Sequence, residues 1–548
     1  MARIGRWSAL ARLLGTAGLW LAVTGPGQAA PALEIVARPG PWPVVSELVA
    51  YRDRVWLVNS VKGRNHNAAD VYSYGPADRG LRFERGLFSQ DAGTPVAAHG
   101  LLYWPMEDFR FSLGWGAFAV TDGSAWSVGD IPGGMVFHTH AMASDGRRLV
   151  AAISGWRAGL AESLDRGATW RQIHEHPTAD GVVSRVTDLA MTGGRIFAQL
   201  VEAGTPRLTS YRDGRLAGVP GWPEGFGLRG HAIAGGRFHG ILAGRHEGSD
   251  LWSSDGIGSR PEPRDTIGGS LVDLAAEGGR LWAVSSTGDG GAVWRRSNDG
   301  PWEEVTQLTG GQPHSLLVMD GRPYVGGEGT DGRGVLWGPA GAVAPSALPA
   351  PPPMPVQPSR HAGPIDWHLA GRSLDAALAD PAGYRRETGN LRDLVRDLAV
   401  AHSPAGFFSA RLAGPLPRDP MALIGGRVTI TAADYARWVL LWGMGRAREA
   451  AVPLSLLTPA WTAPANSSEK YFAALPAALW AIREARQDDP ATLAALVARL
   501  DAPGDPDWLT AQVAGTLATL TGRPYTASSA DWRRWLAEPA RPENHAPR

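Results

Sequence analysis

The chain has 548 residues, no cysteine, and equal numbers of basic and acidic side chains (53 each), so its formal net charge is zero. This balance gives no electrostatic case for nucleic acid or an anionic membrane as a partner. The lack of cysteine excludes disulfides, thiolate metal ligands and a thiol nucleophile. A fold of this length must therefore rely on its apolar core, for which 44% hydrophobic residues and 23 tryptophans are available.

The chain begins with the pattern of a signal peptide. Three arginines precede an apolar run at residues 13–23, which is too short to cross a bilayer, and small residues follow. We expect a signal peptide at residues 1–29, cleaved after Ala29, and a periplasmic or secreted protein without a transmembrane segment. An uncleaved membrane anchor is the alternative.

Residues 30–343 repeat one unit with a period in the forties. Each unit has a short apolar strand, a two-residue turn and a second strand, followed by a Gly-rich loop and a third strand. Short strands with regular turn signals predict four-stranded blades around an axis. The inner turn pairs are Arg52-Asp53, His99-Gly100, Asp145-Gly146, Gly193-Gly194, Gly235-Gly236, Gly278-Gly279 and Asp320-Gly321.

Seven such units predict a seven-bladed β-propeller. Residues Leu33–Ala37 have the pattern of a fourth, outer strand, yet they precede the inner strand of the first unit. A propeller must join its first and last blades, since otherwise two sheet edges stay exposed. We therefore predict that Leu33–Ala37 pairs into blade seven.

One turn has a more specific pattern than the others. Residues 163–170 read Ser-Leu-Asp-Arg-Gly-Ala-Thr-Trp, in which the Asp can accept hydrogen bonds from backbone N–H groups of its own turn. The pattern resembles the Asp-box (BNR-type) turns of sialidase-like β-propellers. The resemblance implies a structural role, away from any ligand. The specified residues are Ser163, Asp165, Gly167, Thr169 and Trp170.

The periodicity changes after a proline-rich segment at residues 344–364, which we predict to be an extended linker. Apolar residues in 365–540 recur at helical spacing. The stretch Trp442–Leu454 resembles the helix–turn–helix join of HEAT-like repeats, which implies stacked helix pairs. We predict an all-β seven-bladed propeller followed by an all-α, solenoid-like (HEAT-like) domain. The stretch at residues 407–428 contains too many Gly and Pro for a solenoid helix, and the fold of residues 403–428 stays open.

A ring of polar residues is predicted at the mouth of the propeller channel. Its members lie near the starts of the innermost strands, within otherwise apolar segments. They are Glu47, Thr94, His140, Asp188, His231, Asp273 and Ser315. Converging carboxylates and imidazoles could bind a polar ligand or a cation such as calcium. The alternative, which we favour, is that they bond the backbone of neighbouring blades, with no cofactor. His138 could support the ring or cap its strand.

A loop on the same predicted face carries aromatic residues beside an arginine. These residues are Phe109, Arg110, Phe111 and Trp115. Exposed aromatic rings with arginine are typical of binding hot spots, and such rings also stack on sugars. The alternative is that Phe109 and Phe111 cover the edge of a blade. Both interpretations stay open at this point.

Evidence for an enzyme is weak. Sialidases have an early Arg-Ile-Pro motif, which this sequence lacks. Other Asp-box glycosidases use paired carboxylates, and Asp188 with Asp273 would be the pair here, at the ~6.5–9.5 Å separation of an inverting enzyme. No serine-hydrolase elbow is found, and the histidines after the propeller are too dispersed for a zinc site.

We therefore predict an exported, non-catalytic binding or assembly scaffold that uses the propeller face and the helical-repeat surface. We expect an envelope or extracellular protein as its partner, with polysaccharide as a second candidate. The alternative is a glycoside hydrolase-like propeller enzyme with carboxylates at the channel mouth. Whether the polar ring is exposed in a cleft or bonded to backbone distinguishes the two.

Overall fold

The computed structural model describes residues 33–538 with several internal gaps. The gaps are 62–68, 110, 112–114, 133–135, 156, 178–181, 245–249, 298–299, 345–347, 360–363, 384–390, 424–427 and 463–471. The predicted signal peptide and Arg110 lie outside the described residues. Within the part of the chain that is described, no helix is both long and apolar enough to cross a membrane.

Seven antiparallel sheets form a seven-bladed β-propeller, as predicted. Blade one contains β2 (Val44–Tyr51), β3 (Arg54–Ser60), β4 (Asp70–Gly75) and β5 (Gly80–Gly86). Blade two contains β6 (Asp91–Ala92), β7 (Val96–Ala98), β8 (Leu101–Glu107), β9 (Trp115–Thr121) and β10 (Trp126–Pro132). Blade three contains β11 (Val136–Ser144), β12 (Leu149–Gly155), β13 (Ala158–Ser163) and β14 (Arg171–Glu175). In blade two, β6 and β7 share the innermost place, because both pair with β8.

The remaining blades repeat this order from the inner to the outer strand. Blade four contains β15 (Ser184–Thr192), β16 (Arg195–Glu202), β17 (Thr205–Arg212) and β18 (Arg215–Gly218). Blade five contains β19 (Leu228–Ala234), β20 (Arg237–Leu242), β21 (Leu251–Ser254) and β22 (Ser259–Pro261). Blade six contains β23 (Ser270–Glu277), β24 (Arg280–Ser286), β25 (Gly290–Ser297) and β26 (Glu303–Thr309). Blade seven contains β27 (Gly311–Met319), β28 (Arg322–Gly329), β29 (Gly334–Pro339) and β1 (Leu33–Ala37).

The predicted closure of the ring is confirmed. Strand β1 pairs antiparallel with β29, and Ile35 lies opposite Trp337. Strand β1 is thus the outer strand of the last blade, although it comes first in the chain. This pairing joins the two ends of the propeller and leaves neither as a free sheet edge.

The inner hairpins turn through two residues that both have positive φ, in every blade except the third. This backbone geometry matches the twist of the flanking strands and favours Gly, Asn or Asp. In blade three the predicted pair, Asp145 and Gly146, belongs to a wider loop. There the carboxylate of Asp145 accepts hydrogen bonds from the backbone N–H groups of Arg147 at 3.0 Å and Arg148 at 2.9 Å.

The turn at residues 163–170 is held by its own side chains. One carboxylate oxygen of Asp165 accepts from the backbone N–H of Thr169 and from the hydroxyl of Ser163, both at 2.8 Å. Gly167 has a φ of 89°, a conformation that a Cβ would strain. The indole N–H of Trp170 donates to the carbonyl of Gly167 at 3.1 Å. These contacts fit a structural role for the turn.

A helical region follows the propeller. Its helices are α1 (Trp367–Ala379), α2 (Leu391–Val400), α3 (Ser409–Leu412), α4 (Ala432–Ala447), α5 (Ala474–Ala485), α6 (Pro490–Arg499), α7 (Asp507–Thr521) and α8 (Ser529–Ala537), with a 3-10 turn at Leu454–Leu457. Helix α4 is capped by Thr431, whose hydroxyl accepts from the backbone N–H of Asp434 at 3.0 Å. The stretch left open contains α3 and a hairpin, β30 (Pro420–Leu423) with β31 (Val428–Thr431).

The helical region packs against blades one and two. One continuous hydrophobic core contains side chains from these blades, such as Trp56 and Trp104, together with Trp442 and Trp480 of α4 and α5. The proline-rich segment lies against the propeller over part of its length. Its Gln357 side chain accepts from the backbone N–H of Asp130 at 2.9 Å and donates to its carbonyl at 2.7 Å. This part of the predicted linker is therefore bound to the propeller and does not extend freely into solvent.

Candidate functional site

The polar positions near the channel lie beside β-bulges. In six blades the innermost strand shifts register near its start, and the bulge precedes Glu47, Asp188, Asp273 and Ser315 or contains His140. A bulge inserts an extra residue and re-aims the neighbouring side chains. Thr94 of blade two instead forms a parallel bridge with Ala141 of blade three. Glu47, Asp188 and Asp273 are half-buried.

Blade five departs from the expected ring. The residue after its bulge is Gly230, and His231 comes one position later in the strand. A Cβ on Gly230 would lie 2.8 Å from the Cα of Asp273, so no side chain fits there. The His231 ring instead stacks on Phe238 at 5.5 Å, and its Nε2 lies 3.1 Å from the carbonyl of Leu189. The placement of His231 in the ring is therefore corrected to Gly230.

Both carboxylate oxygens of Asp273 accept hydrogen bonds from backbone N–H groups. One oxygen accepts from the N–H of Leu274 and the other from the N–H of Leu316 in blade seven, each at 2.8 Å. Likewise, the Ser315 hydroxyl donates to the carbonyl of Val45 in blade one at 3.3 Å. The contacts with Leu316 and Val45 link neighbouring blades, and they are of the kind that the structural alternative for the ring requires.

Asp188, the other half of the suggested carboxylate pair, bonds within its own blade. One of its oxygens accepts from the amide of Gln199 and the hydroxyl of Thr187, both at 3.0 Å. Its second oxygen lies 4.0 Å from Nδ1 of His231. The two aspartates are thus engaged differently, with Asp273 bound to backbone and Asp188 to side chains.

Replacing Asp273 by alanine is expected to lower the free energy of unfolding by about 1–3 kcal/mol, because two backbone N–H groups lose their acceptor. Urea denaturation of the full chain measures this. Asp265→Ala is the matched control, since Asp265 is exposed and its backbone is outside the left-handed region, and its loss should stay within about 0.5 kcal/mol. A variant as stable as the parent, or more so, would instead favour a ligand site whose carboxylates repel each other when empty.

The aromatic loop of blade two does not form an exposed patch. Phe109 and Phe111 are only 3% and 0% exposed. The Phe111 ring stacks on Trp438 at 5.0 Å and contacts Trp480 at 4.8 Å. The interpretation of these two rings as a ligand-binding surface is therefore wrong, because the helical region covers them. Trp115 begins β9.

A buried carboxylate connects the outer strand of blade two to the helices. Asp130, 1% exposed, lies 3.2 Å from Arg392 and 3.3 Å from Arg396 of α2, and 3.5 Å from Arg446 of α4. Burial alone would raise the pKa of Asp130, but the three guanidinium groups outweigh it and hold the pKa below its usual value. Asp130 is therefore a charged group at the centre of the contact between the two regions.

A second group of titratable side chains lies where blades two and three meet. One potential ligand atom from each of Glu107, His138 and His140 lies within 4.8 Å of the others. Glu107 ends β8, and the histidines alternate on β11, with their rings stacked at 5.0 Å. Nδ1 of His140 is 3.8 Å from the Glu107 carboxylate. We name this group the Glu–His–His cluster.

Burial has the largest effect on the pKa values of His140 and Glu107. It lowers the pKa of His140 well below the usual value, and the nearby His138 and Arg185 lower it further. Burial also raises the pKa of Glu107, partly opposed by His138. His140 is consequently a neutral imidazole at pH 7. The sequence prediction included His140 and considered His138 as its support, but it missed Glu107.

No protein-family model and no curated protein matches this chain. A solved structure titled "Crystal Structure of Mitotic Checkpoint Complex" is similar over 62% of this chain and 98% of its own, with 10% identity and a TM-score of 0.39. The β-propeller domain of the Trilobed protease from Pyrococcus furiosus, described with an open velcro topology, is similar over 55% and 96%, with 13% identity and a TM-score of 0.38. At these scores, the propeller assignment rests on the strand pairing of the chain itself.

Proposed function

We propose that this protein is an exported, non-catalytic binding or assembly scaffold in which the propeller and the helical region act as one body. The observation that carries the proposal is the hydrophobic core shared by blades one and two and the helices. A scaffold holds partners at fixed relative positions, and a large apolar interface is what removes the relative motion expected of separate domains.

Charged contacts across the same interface support this proposal. Arg85 of β5 pairs with Glu484 of α5, and the neighbouring Arg483 donates to the carbonyl of Gly86. Arg85 and Arg483 lower the pKa of Glu484 to about 2, against the effect of its burial. Buried pairs of this kind fix geometry more than they add stability. Together with Asp130, they would set one orientation of the helices on the propeller.

The finer assignments belong to the proposal as well. We assign the propeller to the Asp-box type on the contacts of residues 163–170, and the helices to a HEAT-like array on the sequence resemblance. We place the mature protein in the periplasm or outside the cell, with an envelope or extracellular protein as partner and polysaccharide as a further possibility. No cofactor is needed for this function.

The test uses the full chain in two assays. Cross-linking in the intact cell envelope should recover the same partner with the parent and with Asp188→Asn, a variant that removes a carboxylate needed by the glycosidase alternative. Incubation with a panel of oligosaccharides should give no hydrolysis by either protein. Hydrolysis by the parent that Asp188→Asn abolishes would overturn the scaffold proposal in favour of a propeller glycosidase.

A further inference from the structure

We propose that Glu107, His138 and His140 form a binding site for a divalent transition-metal ion of the Zn²⁺ type, at the junction of blades two and three. The three side chains come from two blades, and each presents a ligand atom within 4.8 Å of the other two. In a tetrahedral zinc site with bonds of about 2.0–2.2 Å, ligand atoms lie roughly 3.3–3.6 Å apart. The present spacing is wider, and the stacked rings of His138 and His140 must rotate to direct both lone pairs at one ion.

One ring nitrogen of His140 is in a state suited to binding a metal. The side chain of His140 is 9% exposed. Its Nε2 is buried and has no hydrogen-bond partner among the described residues. A buried polar nitrogen without a partner is costly, and coordination of an ion removes that cost.

Asp108 lies beside His138, at the distance of a carboxylate behind a metal-bound histidine. Its Oδ1 is 2.8 Å from Nδ1 of His138, but the two groups are not aligned as a hydrogen bond. Rotation of the ring would align them, and the carboxylate would then orient the histidine. Asp108 adopts a left-handed backbone conformation, with φ of 47°. Aspartate tolerates this region better than most residues do, yet the conformation is uncommon and often occurs at functional sites.

The backbone around the site is firmly fixed. The carbonyl of Glu107 accepts from the N–H of Gln90 at 2.9 Å and from the hydroxyl of Ser89. On the other side, Gly93 approaches so closely that a Cβ there would lie 1.5 Å from the carbonyl oxygen of His140. Glycine is thus required where blade two meets β11. Preorganised ligands of this kind lower the cost of binding an ion.

The ligand types select the class of metal. Two imidazoles and one carboxylate match the donor set of zinc sites that keep a fourth position open, whereas Ca²⁺ and Mg²⁺ take oxygen ligands. The charge of Arg185 opposes a cation, but this side chain is exposed, so water screens it. Asp91 and Asp108 add negative charge near Glu107 and favour the ion. The fourth position would accept water or a group of a partner protein.

The test is titration of ZnCl₂ into the metal-free full chain, after removal of any histidine tag, by isothermal calorimetry. We expect one Zn²⁺ per chain and a higher melting temperature, with no response to CaCl₂. Glu107→Gln and His140→Gln should each lose the stoichiometric binding. Asp108→Asn should weaken it by roughly 10- to 100-fold, because Asp108 orients a ligand rather than binding the ion.

The matched control is His176→Gln. His176 also pairs with a carboxylate, its Nε2 lying 3.2 Å from Glu202, but it is outside the cluster, so this variant should bind Zn²⁺ as the parent does. Absence of Zn²⁺ binding by the parent would overturn the proposal, as would equal binding of Ca²⁺. Binding that survives both Glu107→Gln and His140→Gln would also overturn it. If either of these two variants melts far below the metal-free parent, the affinity of Asp108→Asn decides.

Discussion

Replacing Asp130 by alanine is expected to lower the free energy of unfolding by about 3–5 kcal/mol, because removal of one partner leaves buried charge without compensation. Asp130 lies within 3.5 Å of Arg392, Arg396 and Arg446. Arg392 is 0% exposed. The three arginines come from two helices of the helical region, so the loss of stability should arise where this region contacts the propeller.

Urea denaturation of the full chain measures this loss. The control is Glu303→Ala, which removes the carboxylate of an exposed pair with Arg295 at 3.2 Å. Exposed pairs contribute little, so the control should change stability by less than about 1 kcal/mol. A loss for Asp130→Ala no larger than that of the control would show that the buried network does not hold the two regions together.

The pH dependence of Asp130 has a defined sign. Its pKa in the folded protein is lowered, since the effect of three guanidinium groups exceeds that of burial. A depressed carboxyl pKa contributes stability that is fully present above the unfolded value, about pH 4, and is lost as the pH falls toward the folded value. Asp130→Ala should therefore differ most from the parent near neutral pH and least in strong acid.

The propeller could be predicted because its signals are local. Two-residue turns with positive φ and alternating apolar strands lie within a few residues of one another, and each blade repeats them. Even the closing strand could be predicted, since Leu33–Ala37 has an outer-strand pattern in a place where no outer strand was expected. Because the units repeat one pattern, they could be compared with one another within a single sequence.

The interface could not be predicted, because nothing local indicates which surface a distant helix will cover. Phe109 and Phe111 are residues of the type found in binding loops. Only the structure shows that they pack against the helical region of the same chain, where Phe111 contacts the indole rings of α4 and α5. Asp130 resembles any acidic residue of an outer strand. The available signal was the four-residue spacing of Arg392 and Arg396, which places the two arginines on one side of α2.

Only the two histidines of the Glu–His–His cluster could be predicted, for a related reason. The alternation of His138 and His140 along one strand indicates two imidazoles on one side. Glu107 belongs to the preceding blade, and its approach depends on how the blades pack. The bulges lie at the same distance from the inner turn in blades one, four, five and six. Position relative to the turn therefore does predict the ring, and in blade five that position is Gly230, whereas His231 is one residue nearer the turn.

Replacing Phe111 by alanine is expected to cost about 3–5 kcal/mol, as for other large-to-small changes at fully buried aromatic residues. Phe111 is 0% exposed and its ring contacts Trp438, Trp442 and Trp480. Its removal leaves a cavity between blade two and two helices. The cavity cannot close without moving one region relative to the other, so we also expect the two regions to lose their cooperativity.

The measurement is denaturation followed by helical circular dichroism at 222 nm and, separately, by tryptophan fluorescence. The control is Phe197→Ala, since Phe197 is also 0% exposed but stacks on Phe238 within the propeller, at 5.1 Å. Both variants should lose similar stability. Only Phe111→Ala should separate the two transitions, because only this ring lies between the regions. Coincident transitions in Phe111→Ala would mean that the remaining contacts, including those of Asp130, suffice to keep the scaffold one body.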